Sequence, residues 1–172
     1  HDKAKYYKLS LSDSGKNLAF IVDTDSTKSY QKSNELYNWS FPNQKAKLIV
    51  NKTTSPEGYG VSSDGTLNFS NDESKLYFGL ALPKIVQDTL LIEEEIVNVE
   101  VWTYNEPRLY TIQEKQLNND KKKSFKTVYH LKKDKLVQIA SKEFPDAILT
   151  EDGDENYALI SRIEPYQLSS QW

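Results

Sequence analysis

Residues 9–20, LSLSDSGKNLAF, set two alternating apolar positions ahead of a Ser, a polar cluster and a second alternating run. Residues 67–78, LNFSNDESKLYF, write the same pattern again 58 positions on, with Leu, Ser, Leu and Phe at matching places. Alternation with a period of two marks a strand with one buried face, and clusters of Asp, Asn, Gly, Ser and Lys between such runs mark turns. Each copy therefore predicts a β-hairpin. Strands over 7–11 and 17–22 flank the turn at 13–15, and strands over 35–39 and 47–50 follow, which makes a four-stranded unit within residues 7–54. A second unit, 58–141, opens at Tyr59-Gly60 with strands over 67–69 and 75–82. It is interrupted by 83–98 ahead of VEVWTY at 99–104, and by 105–123 ahead of strands over 125–131 and 136–140. A third, poorer copy begins within 146–163: a strand over 147–150, the turn EDGDEN, and a strand over 157–161, aligned with one extra residue in the turn.

Units of four short strands repeating at roughly 40 to 50 residues are the mark of a β-propeller, each unit being one blade packed face to face on its neighbours. Blades bury both faces, so inner strands such as LAFIV and KLYFGLALP read as nearly continuous apolar runs. The fold class expected is all-β: a partial β-propeller of two to three four-stranded blades with a short inserted helix. A β-sandwich of irregular hairpins would show the same turn spacing without the internal match. The helix is expected over 109–119, where Leu109, Ile112 and Leu117 recur among helix formers behind Pro107, and NNDKKK at 118–123 ends it. An insertion that breaks the blade repeat projects from the sheet, and loops held by a rigid scaffold are where binding concentrates. Around it, Trp102, Tyr104, Glu106, Arg108 and Tyr110 are the candidate contacts for a substrate or partner.

Composition narrows the classes. With 37% hydrophobic and 27% charged residues over 172 positions, the chain can bury a core and is not disordered. No apolar run approaches the roughly 20 residues of a membrane helix, and no charged-then-apolar signal segment stands at His1. Without Cys there is no disulfide framework and no thiolate metal site, while the compartment is left open. A chain that holds no Met and begins His1-Asp2 reads as an excised piece or a processed chain. Arg108 and Arg162 are the only arginines beside 20 lysines, a bias that suits an AT-rich bacterial genome. The lysines between 121 and 135 cluster, yet the net charge is −3 and Arg, the usual reader of bases, is nearly absent, which argues against a nucleic-acid partner.

Motifs for chemistry fail one by one. A serine hydrolase needs its Ser on a Gly-x-Ser-x-Gly elbow, and in Gly60-Val61-Ser62-Ser63-Asp64-Gly65 the second Gly comes one residue late. His130, the only His besides His1, reads as a strand-end residue and not a base. Asp152, Asp154 and Asn156 have the first spacing of a calcium loop, but Tyr157 and Ile163 replace its required Gly and Glu. Asp23-Thr24-Asp25 is another turn, and Glu93, Glu94 and Glu95 form a solvated charge run without a partner across a cleft. No catalytic, cofactor or metal residue is assigned. Trp39, Trp102 and Trp172 each fall near a strand end, as residues filling the wedge between blades do; a peptide- or sugar-stacking platform is the alternative.

The segments VEVWTYNEPRLYTIQEKQL, KTVYHLKKDKLVQIA, EFPDAIL and EPYQLSSQW, within residues 58–172, resemble the propeller region of bacterial prolyl oligopeptidase-like serine peptidases. There a strand ending in Trp runs into an acidic-Pro loop, a Gln-bearing helix and a Tyr-His-Leu strand. Where that family carries a Lys-Asp pair before the Pro, this chain has Asn105-Glu106. The resemblance implies a noncatalytic propeller that caps a hydrolase domain of the same parent chain and restricts which peptides reach it. A stand-alone propeller-type module for protein or glycan binding is the other reading. Two to three blades cannot close a ring of four to eight, so self-association through the open blade edges is also expected.

Overall fold

The computed structural model describes residues 4–25, 32–84, 106, 108–163 and 166–167. The candidate contacts Trp102 and Tyr104, the strand expected over 99–104, the Glu93–Glu95 run and Trp172 lie outside the described residues. The described chain is mostly antiparallel β-sheet with one short helix, and the sheet does not close. None of the described helices is long and apolar enough to cross a membrane.

Strands β1 (Lys5–Leu11), β2 (Asn17–Asp23), β3 (Asn34–Ser40) and β4 (Lys47–Val50) pair in sequence order as a first antiparallel meander. Strands β6 (Asn68–Phe69), β7 (Lys75–Ala81), β8 (Phe125–His130) and β9 (Lys135–Gln138) make a second. The two-residue strand β5 (Gly60–Val61) pairs with both β3 and β7, joining them into a nine-stranded sheet. Strands β10 (Asp146–Leu149) and β11 (Ala158–Ser161) form a separate hairpin.

Alternation along paired strands decides which faces meet. Ala19, Ile21, Leu36 and Val50, all on one face of the first meander, form a single core cluster with Leu76, Phe78, Leu80 and Tyr129 on one face of the second. The opposite face of the second meander carries Tyr77 and Val128, and both are buried. There Tyr77 Oη donates to Gly153 O in the β10–β11 turn at 2.7 Å. The second meander is thus the middle of three layers, which is why β7 is buried along nearly its whole length. The first meander has a described neighbour on one face only. Its other face carries the rows Leu9–Phe20–Tyr37–Leu48 and Leu11–Leu18–Trp39, and stays half open. Trp39 therefore lies on the outward face, its Nε1 donating to Asn43 O.

The first two turns are one structure repeated, and the third shares part of it. Ser12 and Ser70 each accept from the amide five residues on, Asn17 N and Lys75 N, through their hydroxyls at 3.1 and 3.0 Å. Ser12 O, Ser70 O and Thr150 O each accept from the amide three residues on. Those donors, Gly15, Glu73 and Gly153, all have positive φ, at 70°, 55° and 67°. The third turn, however, holds residues 150–157 between its last paired residues, against 12–17 and 70–75, so it carries two extra residues and not the one expected.

Helix α1 (Tyr110–Lys121) buries no residue. It starts one residue later than expected because Leu109 is extended, with ψ at 142°, and it runs two residues further. Asp120 is held by Arg108 near the start of the helix, and Lys121 suits the negative end of the helix dipole.

Candidate functional site

The joints between layers concentrate the polar chemistry. Glu73, in the second turn, receives Ser14 N at 2.6 Å, Ser14 Oγ at 2.7 Å and Asn17 Nδ2 at 3.1 Å from the first turn. These donors, led by the Ser14 amide, hold its carboxyl below the usual glutamate value. One layer on, the relation repeats: Asp72 N donates to Asp154 Oδ1 at 2.8 Å, Asn71 N donates to Asp152 O at 3.0 Å, and Lys75 Nζ donates to Asp154 O. Each turn thus donates to the turn of the next layer. Asp72 itself is held well below the usual carboxylate range by its bonds from Ser70 and Ser74. The calcium-loop spacing at Asp152 and Asp154 is accounted for by this joint, and among the described residues no cluster of three or more metal-ligating side chains stands together.

A second joint lies at the same strand ends, between the β3–β4 and β8–β9 turns. Lys47 Nζ bonds both Asp134 oxygens at 2.7 and 2.6 Å, and Tyr129 Oη donates to Asp134 Oδ1 at 2.6 Å. Lys47 keeps the Asp134 carboxyl low, while burial, with Asp134 beside it, pushes the Tyr129 phenol up. These three side chains border a small cavity of about 160 Å³ whose other polar lining includes Asn38, Ser40 and Lys45. From it a relay runs to the first joint: Asn38 Nδ2 donates to Ser40 Oγ, and Ser40 Oγ donates to Asn17 Oδ1. Asn17 then donates to Glu73. Asn38 Oδ1 is buried and accepts no hydrogen bond from the described residues.

Of the candidate contacts, Glu106, Arg108 and Tyr110 stand together at the start of α1. Arg108 is turned onto the helix: Nη1 donates to Gln116 Oε1 at 2.8 Å, Nη2 to Asp120 Oδ2 at 2.7 Å, and Gln113 Nε2 donates to Arg108 O at 2.8 Å. This clasp ties the start of α1 to Gln116 and to Asp120 in its last turn, on a helix that has no side-chain N-cap and no buried residue. Glu106 is exposed, and Tyr110 is half-buried.

The groups weighed as nucleophile and base stand in structural roles. Ser62 is 5% exposed, and its Oγ accepts from Asp64 N and Gly65 N, closing a local turn. His130 has Lys75 and Lys135 as cross-strand partners and no carboxylate opposite it. Burial, then Lys133, Lys75 and Lys135, push its imidazole below the usual value. The joint residues Glu73, Asp134 and Lys47 escaped sequence reasoning, although Glu73 stands where the first copy has Gly15, and a residue other than Gly at a positive-φ place is a signal.

No protein-family model matches the chain, and no curated protein matches it.

Proposed function

We propose that this chain is a noncatalytic part of a β-propeller from an oligopeptidase-like serine peptidase, gating or positioning peptides for a hydrolase domain outside it. The three layers would then be two blades and the opening hairpin of a third. The observation that carries the blade reading is the turn that repeats at Ser12 and Ser70 with the same hydrogen bonds, and at Thr150 with the bond to the positive-φ residue, each turn joined to the next. A sandwich of unrelated hairpins has no reason to reproduce it. The peptidase reading rests on the family resemblance of residues 58–172, with α1 as the inserted element. Helix α1 buries no residue and is braced by Arg108, which would suit it to carry contacts at the rim of a substrate path.

The test is to incubate the chain with unlabelled prolyl peptides of graded length and follow both peptide mass and backbone amide shifts. The expected result is intact peptide with shifts concentrated at Arg108, Tyr110 and Gln113. Cleavage abolished by His130→Ala would overturn the noncatalytic reading. Shifts confined to the outward face of the first meander would favour a stand-alone binding module instead.

A further inference from the structure

The two ends of the layered array are chemically unlike, and each is unfinished in a way that suits the other. At one end the outward face of β1 to β4 shows Leu9 at 71% and Leu11 at 59% exposure. Tyr6, Phe20 and Tyr37 run beside them as an aromatic ladder with centroids 6.0 and 5.6 Å apart. At the other end Ile148 and Leu159, a cross-strand pair on the outward face of β10–β11, are 62% and 65% exposed. Apolar surface of this extent on contiguous strands marks a place where another layer packs.

The turns say which layer. In both turn-to-turn joints, the residue two after the positive-φ position donates forward: Asn17 Nδ2 to Glu73, and Lys75 Nζ to Asp154 O. In the third turn that position is Glu155, an acid, with Glu151 and Asp152 beside it. The accepting carboxylates lie at the positive-φ residue or one after it, Glu73 and Asp154. In the first turn those places are Gly15 and Lys16, a cation. The polarity of the joint is therefore reversed at both ends at once: an acidic third turn fits a lysine-bearing first turn. Lys16 and Glu155 are both exposed.

We infer that the chain pairs head to tail with a second copy, the β10–β11 face of one against the outward face of β1 to β4 of the other, with Lys16 meeting the Glu155 turn. Two such joints close a two-fold dimer, whereas one joint repeated without closure gives open filaments. This inference rests on the stacked layers and the charges at their ends and not on the peptidase reading, which stands or falls on peptide binding at α1.

The experiment is sedimentation velocity of the full chain from low to high micromolar concentration, on wild type, Lys16→Glu, Glu155→Lys and an equimolar mixture of the two variants. In the wild type a dimer is expected. Each variant alone sets like charges against each other at both joints and weakens association about tenfold. The mixture pairs swapped charges at one joint and native charges at the other, so it recovers the dimer. Leu159→Lys removes the dimer while leaving the far-UV circular dichroism intact. A wild-type monomer throughout the series would overturn the inference. So would a mixture no more associated than its components, or single variants that associate as wild type does. A loss of fold in Leu159→Lys leaves the charge-swap arms to decide.

Discussion

Glu73 holds φ at 55°, a conformation that its counterpart Gly15 adopts freely, and its carboxylate is what the first turn donates to. The strained backbone and the joint belong to the same residue, so acid acts on both layers through it. Glu73, Asp72 and Asp134 are all held below their ordinary values of 4.5, 3.8 and 3.8. A carboxyl lowered in the folded chain takes up protons more readily when unfolded, so its stabilisation is complete above the ordinary value and lost as pH falls through the lowered one. His130, also lowered, has the same sign in a higher window: stability begins to fall below the ordinary imidazole value of 6.5, as the unfolded chain protonates first. Thermal melts across this range are expected to drop in two stages on acidification. Glu73→Gln should shrink the carboxylate stage to the part that Asp72 and Asp134 supply; a variant with the wild-type profile would remove Glu73 from the joint. Gly79 makes a different kind of demand: a Cβ on it would meet Gly65 Cα at 2.8 Å and Ser124 Cβ at 2.8 Å, backbone on one side and a short side chain on the other. Gly79→Ala is expected to cost about 3 kcal/mol in chemical denaturation, the upper range for an overfilled site. A cost near zero would mean that the two backbones part easily.

At the scale of elements, α1 depends on its clasp and not on a core. Removing the guanidinium with Arg108→Ala should lower the helical circular dichroism and cost about 0.5 kcal/mol locally, with the main melting transition unmoved. A collapse of that transition would show that α1 is part of the layers. Most elements were legible because period-two alternation and turn chemistry act locally: the duplicated hairpin at residues 9–20 and 67–78 folds as the same turn down to its hydrogen bonds. What escaped was set by neighbours distant in sequence. Leu18 and Trp39 alternate as core residues do, yet they face outward, because alternation tells which residues share a face and not which face is covered. The third turn carries one residue more than its sequence match implies, since its register is fixed by Leu149 opposite Ala158, which no local signal specifies. Of the candidate site, the position of α1 was legible from its break in the repeat. The joint between Lys47 and Asp134, 87 residues apart, was not.

For the molecule as a whole, the second meander is the middle layer, packed against the first meander on one face and against the β10–β11 turn on the other. The central strands β7 and β8 of that layer are buried along most of their length, whereas β1 and β11 each have a side open to solvent. Stability should therefore be graded along the stack, because a strand opens locally only as far as its packing permits. Native-state hydrogen exchange measures this directly, at a concentration where the chain is monomeric. Amides of Lys75–Ala81 and Phe125–His130 are expected to exchange only through global unfolding, those of β2 nearly so, and those of Ala158–Ser161 through local opening at much lower free energy. Amides of β7 exchanging as readily as those of β11 would contradict the layered order on which the whole reading stands.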